Sequence, residues 1–255
     1  GFVLGDVQPP AEGMSVGYRS GAGIPMLLPF LGNRLLGEGS SAYTGKDDVS
    51  PVPSFSVFPA DQIERITSLG SEIWKAGRME MKIHSFFGEK SDPAKTSTSV
   101  LRGEYCPSML ISLTFDNTVS HESLAGFFLM QGVRRPLSDS TEGRLLGMAS
   151  GTKYGFASSP VDGVDEVLDW NPLATMFEGT PVLRRLSCEG GLRFTVPAGE
   201  KRTYVIAAGV FESGVVTSVV PMQRYYASLF CDLEDVLEYS LEHAVERQRQ
   251  AEEQD

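Results

Sequence analysis

The chain has 255 residues, 41% of them hydrophobic and 22% charged, with a formal net charge of −11. That length suits one large all-β unit or two small ones, and the apolar share suffices for a sizeable core. The acidic surplus excludes a basic phosphate-binding surface, so neither nucleic acid nor an anionic membrane is an expected partner.

Residues 1–60 are dense in Gly, Pro and Ser and read as loops around short strands. Gly37-Glu38-Gly39 has neither the Lys-Ser/Thr ending of a P-loop nor a third glycine at dinucleotide spacing, so it reads as a turn. The apolar run Gly23 to Gly32 is broken by two prolines and is too short to span a membrane, which needs roughly 20 residues. It also lacks the basic start of a signal peptide.

Strand signals begin at Ser54-Phe-Ser-Val-Phe58 and continue through Gln62 to Thr67. Met79, Met81 and Ile83 alternate with Glu80, Lys82 and His84, which predicts a half-buried strand with His84 on a solvated polar face. Glu89 to Thr98, charged and Ser/Thr-rich, is a loop. Met109, Ile111, Leu113 and Phe115 alternate with Ser108, Leu110, Ser112 and Thr114 in a strong strand. Asp116-Asn117-Thr118 has turn chemistry and the apolar run 123–131 follows, so these two strands are expected to form an antiparallel pair.

Val164, Val167 and Leu168 suggest a short helix ended by Asn171-Pro172. Trp170, flanked by Asp169 and Asn171, has the make-up of a sugar-stacking plate as well as of a core residue. Leu192, Phe194 and Val196 alternate with Arg193 and Thr195, Pro197 to Glu200 makes a turn, and Thr203 to Phe211 reads as a central strand covered on both faces. The whole is read as two strands around a turn. From Asp232, an N-cap, a single helix is expected with Leu233, Val236, Leu237, Ser240, Leu241, Ala244 and Val245 on one stripe. It meets no Gly or Pro stop, as in a chain cut in mid-pattern.

Catalytic chemistry is scarce. Ser150-Gly-Thr-Lys153 has the Ser-x-x-Lys spacing of a penicillin-binding nucleophile without its partner motifs, and neither His121 nor His243 has the context of a base. No catalytic residue is therefore assigned, although a carboxylate pair among 33 acidic residues is not locatable by sequence. Cys106, Cys188 and Cys231 have no CxxC spacing and read as buried thiols of a reducing compartment, so no metal or cofactor is expected and the expected location is cytoplasmic.

A resemblance emerges from Leu113-Thr-Phe-Asp-Asn-Thr118, Gly126-Phe-Phe128, Gln131-Gly132 with Arg134-Arg135, Phe194-Thr-Val-Pro-Ala-Gly-Glu200, Gly214-Val-Val-Thr217, Tyr225-Tyr226 and the helix opening at Leu233-Glu-Asp-Val236. Their order resembles the N-terminal β-sandwich of glycoside hydrolase family 52, the β-xylosidases, or of the related bile-acid β-glucosidase type. The resemblance implies a mainly β fold, a large antiparallel sandwich over residues 1–231, with a C-terminal helix over residues 232–255 leading to an (α/α)6 barrel that this chain lacks. That barrel, as domain or subunit, carries both catalytic carboxylates in the family, so the chain would be a non-catalytic part of a retaining enzyme acting on β-xylosides or β-glucosides.

Under that reading Arg134, Arg135 and Asp139 form a loop at the mouth of the barrel's pocket, and Trp170 is a further substrate contact. The expected partners are the barrel and carbohydrate, with a homo-oligomer left open. Two alternatives stand beside it: a carbohydrate-binding module using Trp74, Trp170 and tyrosines as plates, and a structural or subunit-interface sandwich without enzymatic role.

Overall fold

The computed structural model describes residues 3–4, 26–36, 56–85, 90–130, 132–137, 143–168, 188–214 and 224–255. It is a sandwich of two large, mainly antiparallel sheets, with three short α-helices among the described residues. The first sheet runs in the order β13 (Val164–Val167), β14 (Gly191–Val196), β9 (Leu124–Met130), β2 (Met26–Leu31), β3 (Arg34–Leu35), β4 (Ser56–Val57), with β1 (Val3–Leu4) also on β2. The second has eight strands: β10 (Arg135–Pro136), β11 (Leu146–Ser150), β12 (Tyr154–Ser158), β15 (Lys201–Val210), β8 (Ser108–Asp116), β7 (Met79–His84), β6 (Ser71–Ala76), β5 (Ile63–Thr67).

Between the sheets lies the main core. Phe115, Phe128, Phe156 and Phe194 are fully buried there, joined by Met81, Leu113, Leu192 and Ile206. The sheets approach closely at one point: a Cβ on Gly126 would stand 2.1 Å from Phe115 Cζ, so only glycine fits opposite that ring.

The outer face of the eight-stranded sheet is covered too. Helix α2 (Leu233–Glu242) lays Leu233, Val236 and Leu237 on Leu110, Ala149, Ala157 and Ala207. Each such aliphatic side chain contributes about 1.5–3 kcal/mol by leaving water. The alanines and Gly209 matter as much, since a Cβ on Gly209 would come within 3.1 Å of Leu237. β15 is thus apolar on both faces because Tyr204, Ile206 and Ala208 face the sandwich while Ala207 faces the helix.

Two expected hairpins are not hairpins. β14 pairs with β13 and β9, whereas β15 pairs with β12 and β8. The turn at Pro197–Glu200, with Gly199 at φ 78°, therefore carries the chain from one sheet to the other. β8 and β9 are likewise split between the sheets. Both crossings meet at Asn117, whose buried side chain donates from Nδ2 to the carbonyls of Glu122 (2.8 Å), Val196 (3.1 Å) and Pro197 (2.9 Å) and accepts from Arg78 Nη1 (2.8 Å).

Other expectations change for physical reasons. Val164 to Val167 is a strand, not a helix, because it pairs along β14 with Val164 opposite Phe194, and sheet pairing outweighs local spacing. Thr98–Tyr105 forms a helix, α1, that only Leu101 anchors in the interior. The C-terminal helix breaks at His243 (φ −102°, ψ 16°) into α2 and α3 (Ala244–Glu252), so Val245 turns outward at 81% exposure and α3 buries Ala244, Arg247 and Ala251 instead. The Asp232 cap is present, its carboxylate accepting from Asp235 N at 2.9 Å.

Three kinds of side chain sit differently from their sequence reading. His84 is on the outer face of β7 as expected, but α3 covers that face and the imidazole is buried. Trp74 is a core residue at 3% exposure, donating from Nε1 to Glu72 Oε1 at 2.8 Å, and cannot serve as a surface plate. Of the three free thiols Cys188 is buried, Cys106 half-buried and Cys231 exposed.

Candidate functional site

Where α2 begins, four stretches of chain leave an open cleft of about 470 Å³. The β11–β12 turn brings Thr152 and Lys153, the end of β15 brings Phe211 and Glu212, and Arg224 and Asp232 close the other side. The pieces are tied together. Phe211 N donates to Lys153 O at 2.7 Å, and Glu212 N donates to the hydroxyl of Tyr226 at 3.2 Å. Burial pushes the Tyr226 phenol above its ordinary range, which keeps it a neutral donor and acceptor at neutral pH.

The cleft carries charge of both signs. Glu212 is ion-paired with Arg224, and Asp232 is committed to capping α2. Such a lining can hydrogen-bond hydroxyls or the backbone of an incoming loop. The Ser150-x-x-Lys153 spacing is the β11–β12 turn itself, with Lys153 N donating to Ser150 O at 3.2 Å and Lys153 exposed.

Arg135 flanks this cleft. Its Nε donates to Gly151 O at 2.9 Å, Nη1 to Pro136 O at 3.0 Å, and Nη2 stands 3.4 Å from Glu234 Oε1 in the first turn of α2. The planar fork thus straps β10, the β11–β12 turn and the helix together. Arg134 is exposed and its backbone N–H is used by Ala149 O at 2.9 Å. Asp139 and Trp170 lie outside the described residues, as do Gly37 to Gly45 and Asn171-Pro172. Glu212 and Arg224 belong to no spaced motif, and the Ser-x-x-Lys spacing that contains Lys153 does not point to them, because the three come together only in space.

Glu104, Asp116, Glu246, Glu252 and Asp255 are all held below the usual carboxylate range, each chiefly by side-chain hydrogen bonds. Among the described residues no cluster of three His, Cys, Asp or Glu side chains stands ready to hold a metal ion. No described helix is long and apolar enough to cross a membrane.

Two β-xylosidases of Geobacillus stearothermophilus are similar to the chain: one at 27% identity over 96% of this chain and 36% of its own length, the other at 28% over 94% and 41%. The chain therefore spans well under half the length of these relatives. The sequence model described as Glycosyl hydrolase family 52 matches residues 1–255. The sheet-crossing motifs at Asn117 and Pro197–Glu200 and the close contact at Gly126 are, accordingly, features of a chain that belongs to glycosyl hydrolase family 52.

Proposed function

We propose that this chain is the non-catalytic sandwich part of a retaining glycoside hydrolase acting on β-linked xylose or glucose units. Residues 1–231 are the sandwich and residues 232–255 the helical connection towards a catalytic (α/α)6 barrel supplied outside this stretch. The observation that carries the reading is coverage: relatives named β-xylosidase extend well beyond the matched region, which fills 36% and 41% of their lengths.

In this reading the cleft beside Arg135 accepts a loop of the catalytic part, and Arg135 positions the cleft wall. Arg134, Asp139 and Trp170 remain the proposed sugar contacts. The binding-module alternative loses one of its plates with the burial of Trp74. The isolated chain decides between them: titration calorimetry with xylo-oligosaccharide and hydrolysis of aryl β-xyloside and β-glucoside should both give nothing above background. Unaided oligosaccharide binding favours the binding module, and turnover by the isolated chain overturns the non-catalytic reading.

A further inference from the structure

Beneath α3 the eight-stranded sheet holds a group that ordinarily sits in water. His84 is 3% exposed. Its Nε2 lies 2.8 Å from Ser112 Oγ of β8, and that same hydroxyl accepts from Gln248 Nε2 of α3 at 3.0 Å. One oxygen thus joins the imidazole, a central strand and the helix. The other ring nitrogen, Nδ1, is buried without a hydrogen-bond partner. A neutral ring tolerates one bare nitrogen at modest cost, whereas a charged ring needs acceptors for two N–H groups and finds none for the second.

The surroundings of His84 all bear on how α3 is held. From its own strand comes Lys82, whose Nζ is 2.9 Å from Glu252 Oε1 of α3. From the helical end comes Asp255, accepting from Gly70 N at 2.6 Å and from Ser71 Oγ at 2.8 Å. On β6 and β8 the residues in register with His84 are the uncharged Ser71 and Leu110, and the hydroxyl at the ring is that of Ser112. The fit is close: a Cβ on Gly70 would lie 1.8 Å from Ala251 O.

We propose that His84 is an acid-sensitive latch, in which proton uptake by this buried imidazole releases α3 from the eight-stranded sheet while the strands stay paired. Burial first, and then the Lys82 ammonium, lower the His84 pKa from 6.5 to about 4 against the opposing pull of Glu252 and Asp255. When α3 lifts, the ring is hydrated and its affinity for a proton rises. The released state then binds more protons than the docked one, so docking is strongest above about pH 6.5 and weakens as pH falls towards 4. Glu252 and Asp255 have lowered pKa values when docked, so their contacts are lost on the same side, at still lower pH.

Hydrogen exchange tests this in the unaltered protein, with rates corrected for intrinsic chemistry. Protection of the α3 amides should fall roughly twentyfold between pH 7 and pH 5, with β8 and β15 unchanged, while in His84→Gln the α3 protection should be the same at both values. The proposal is overturned if α3 protection is independent of pH, if the strands lose protection equally, or if His84→Gln shows the same fall. Should that variant not fold, an NMR titration of His84, His121 and His243 in the unchanged chain serves instead. One imidazole must titrate well below pH 6, and three ordinary values would refute the latch.

Discussion

The side chain of Asn117, at the end of β8, donates to the carbonyl of Val196, at the end of β14, across 3.1 Å. These two residues mark the points where the chain leaves one sheet for the other, so a single buried amide ties both crossings. Its backbone joins in, with Asn117 N donating to Glu200 O at 2.8 Å and Asn117 O accepting from Gly199 N at 3.0 Å.

Replacing that amide is therefore expected to be costly. Asn117→Asp keeps the shape but cannot donate, and it leaves the carbonyls of Glu122, Val196 and Pro197 facing a buried carboxylate. A loss of about 3 kcal/mol is expected in urea denaturation. A loss below about 1 kcal/mol would mean that the turns hold without the amide.

Gly126→Ala tests the closeness of the two sheets. Its new methyl would stand 2.1 Å from the Phe115 ring, which is fully buried beside Phe194 and Tyr204 and has little room to shift. Overpacking of this kind costs about 1–3 kcal/mol. Thermal unfolding reads it, and an unchanged midpoint would show that the sheets can part.

Thiol labelling separates the three cysteines. Cys231 is exposed, whereas Cys188 is enclosed, donates to Met130 O at 3.1 Å and has its pKa driven upward by burial. The half-buried Cys106 is also raised by burial, against the pull of the Arg247 guanidinium. At pH 8 a disulfide reagent should modify one thiol fast in the native protein and all three after unfolding. Rapid reaction of two or three native thiols would contradict this packing.

Arg135 and Arg134 should behave differently despite adjacency. Arg135→Ala removes bonds to Gly151 and Pro136 and the contact with Glu234, a loss discounted because the arginine side chain is 37% exposed. A loss of about 1 kcal/mol, or some 2–4 °C in Tm, is expected, with Arg134→Ala close to neutral. Equal effects would show that Arg135 is not the strap the geometry describes.

Strand signals make much of the fold legible in the sequence: β7, β8 and β14 fall where apolar residues alternate, and β15 falls on the apolar run read as covered on both faces. What alternation encodes is a face, not a neighbour. Short turns after Asp116 and Val196 suggest hairpins, and only the bonds of Asn117 reveal that both turns change sheets. His84 shows the same gap, since its polar strand face is readable but the helix that covers it is distant in sequence. Helix α1 escapes periodicity because it has one buried residue and so almost no stripe. The cleft has no sequence signal, because Lys153, Glu212, Arg224 and Asp232 come from four separate stretches.

The most direct measurement is the mass of the native protein from its source, taken on the fraction that hydrolyses aryl β-xyloside or β-glucoside. A mass far above the 27.7 kDa of these 255 residues, with activity absent from the isolated chain, is the expected result. An active native species of 27.7 kDa would contradict the non-catalytic reading and place a carboxylate pair within the sandwich.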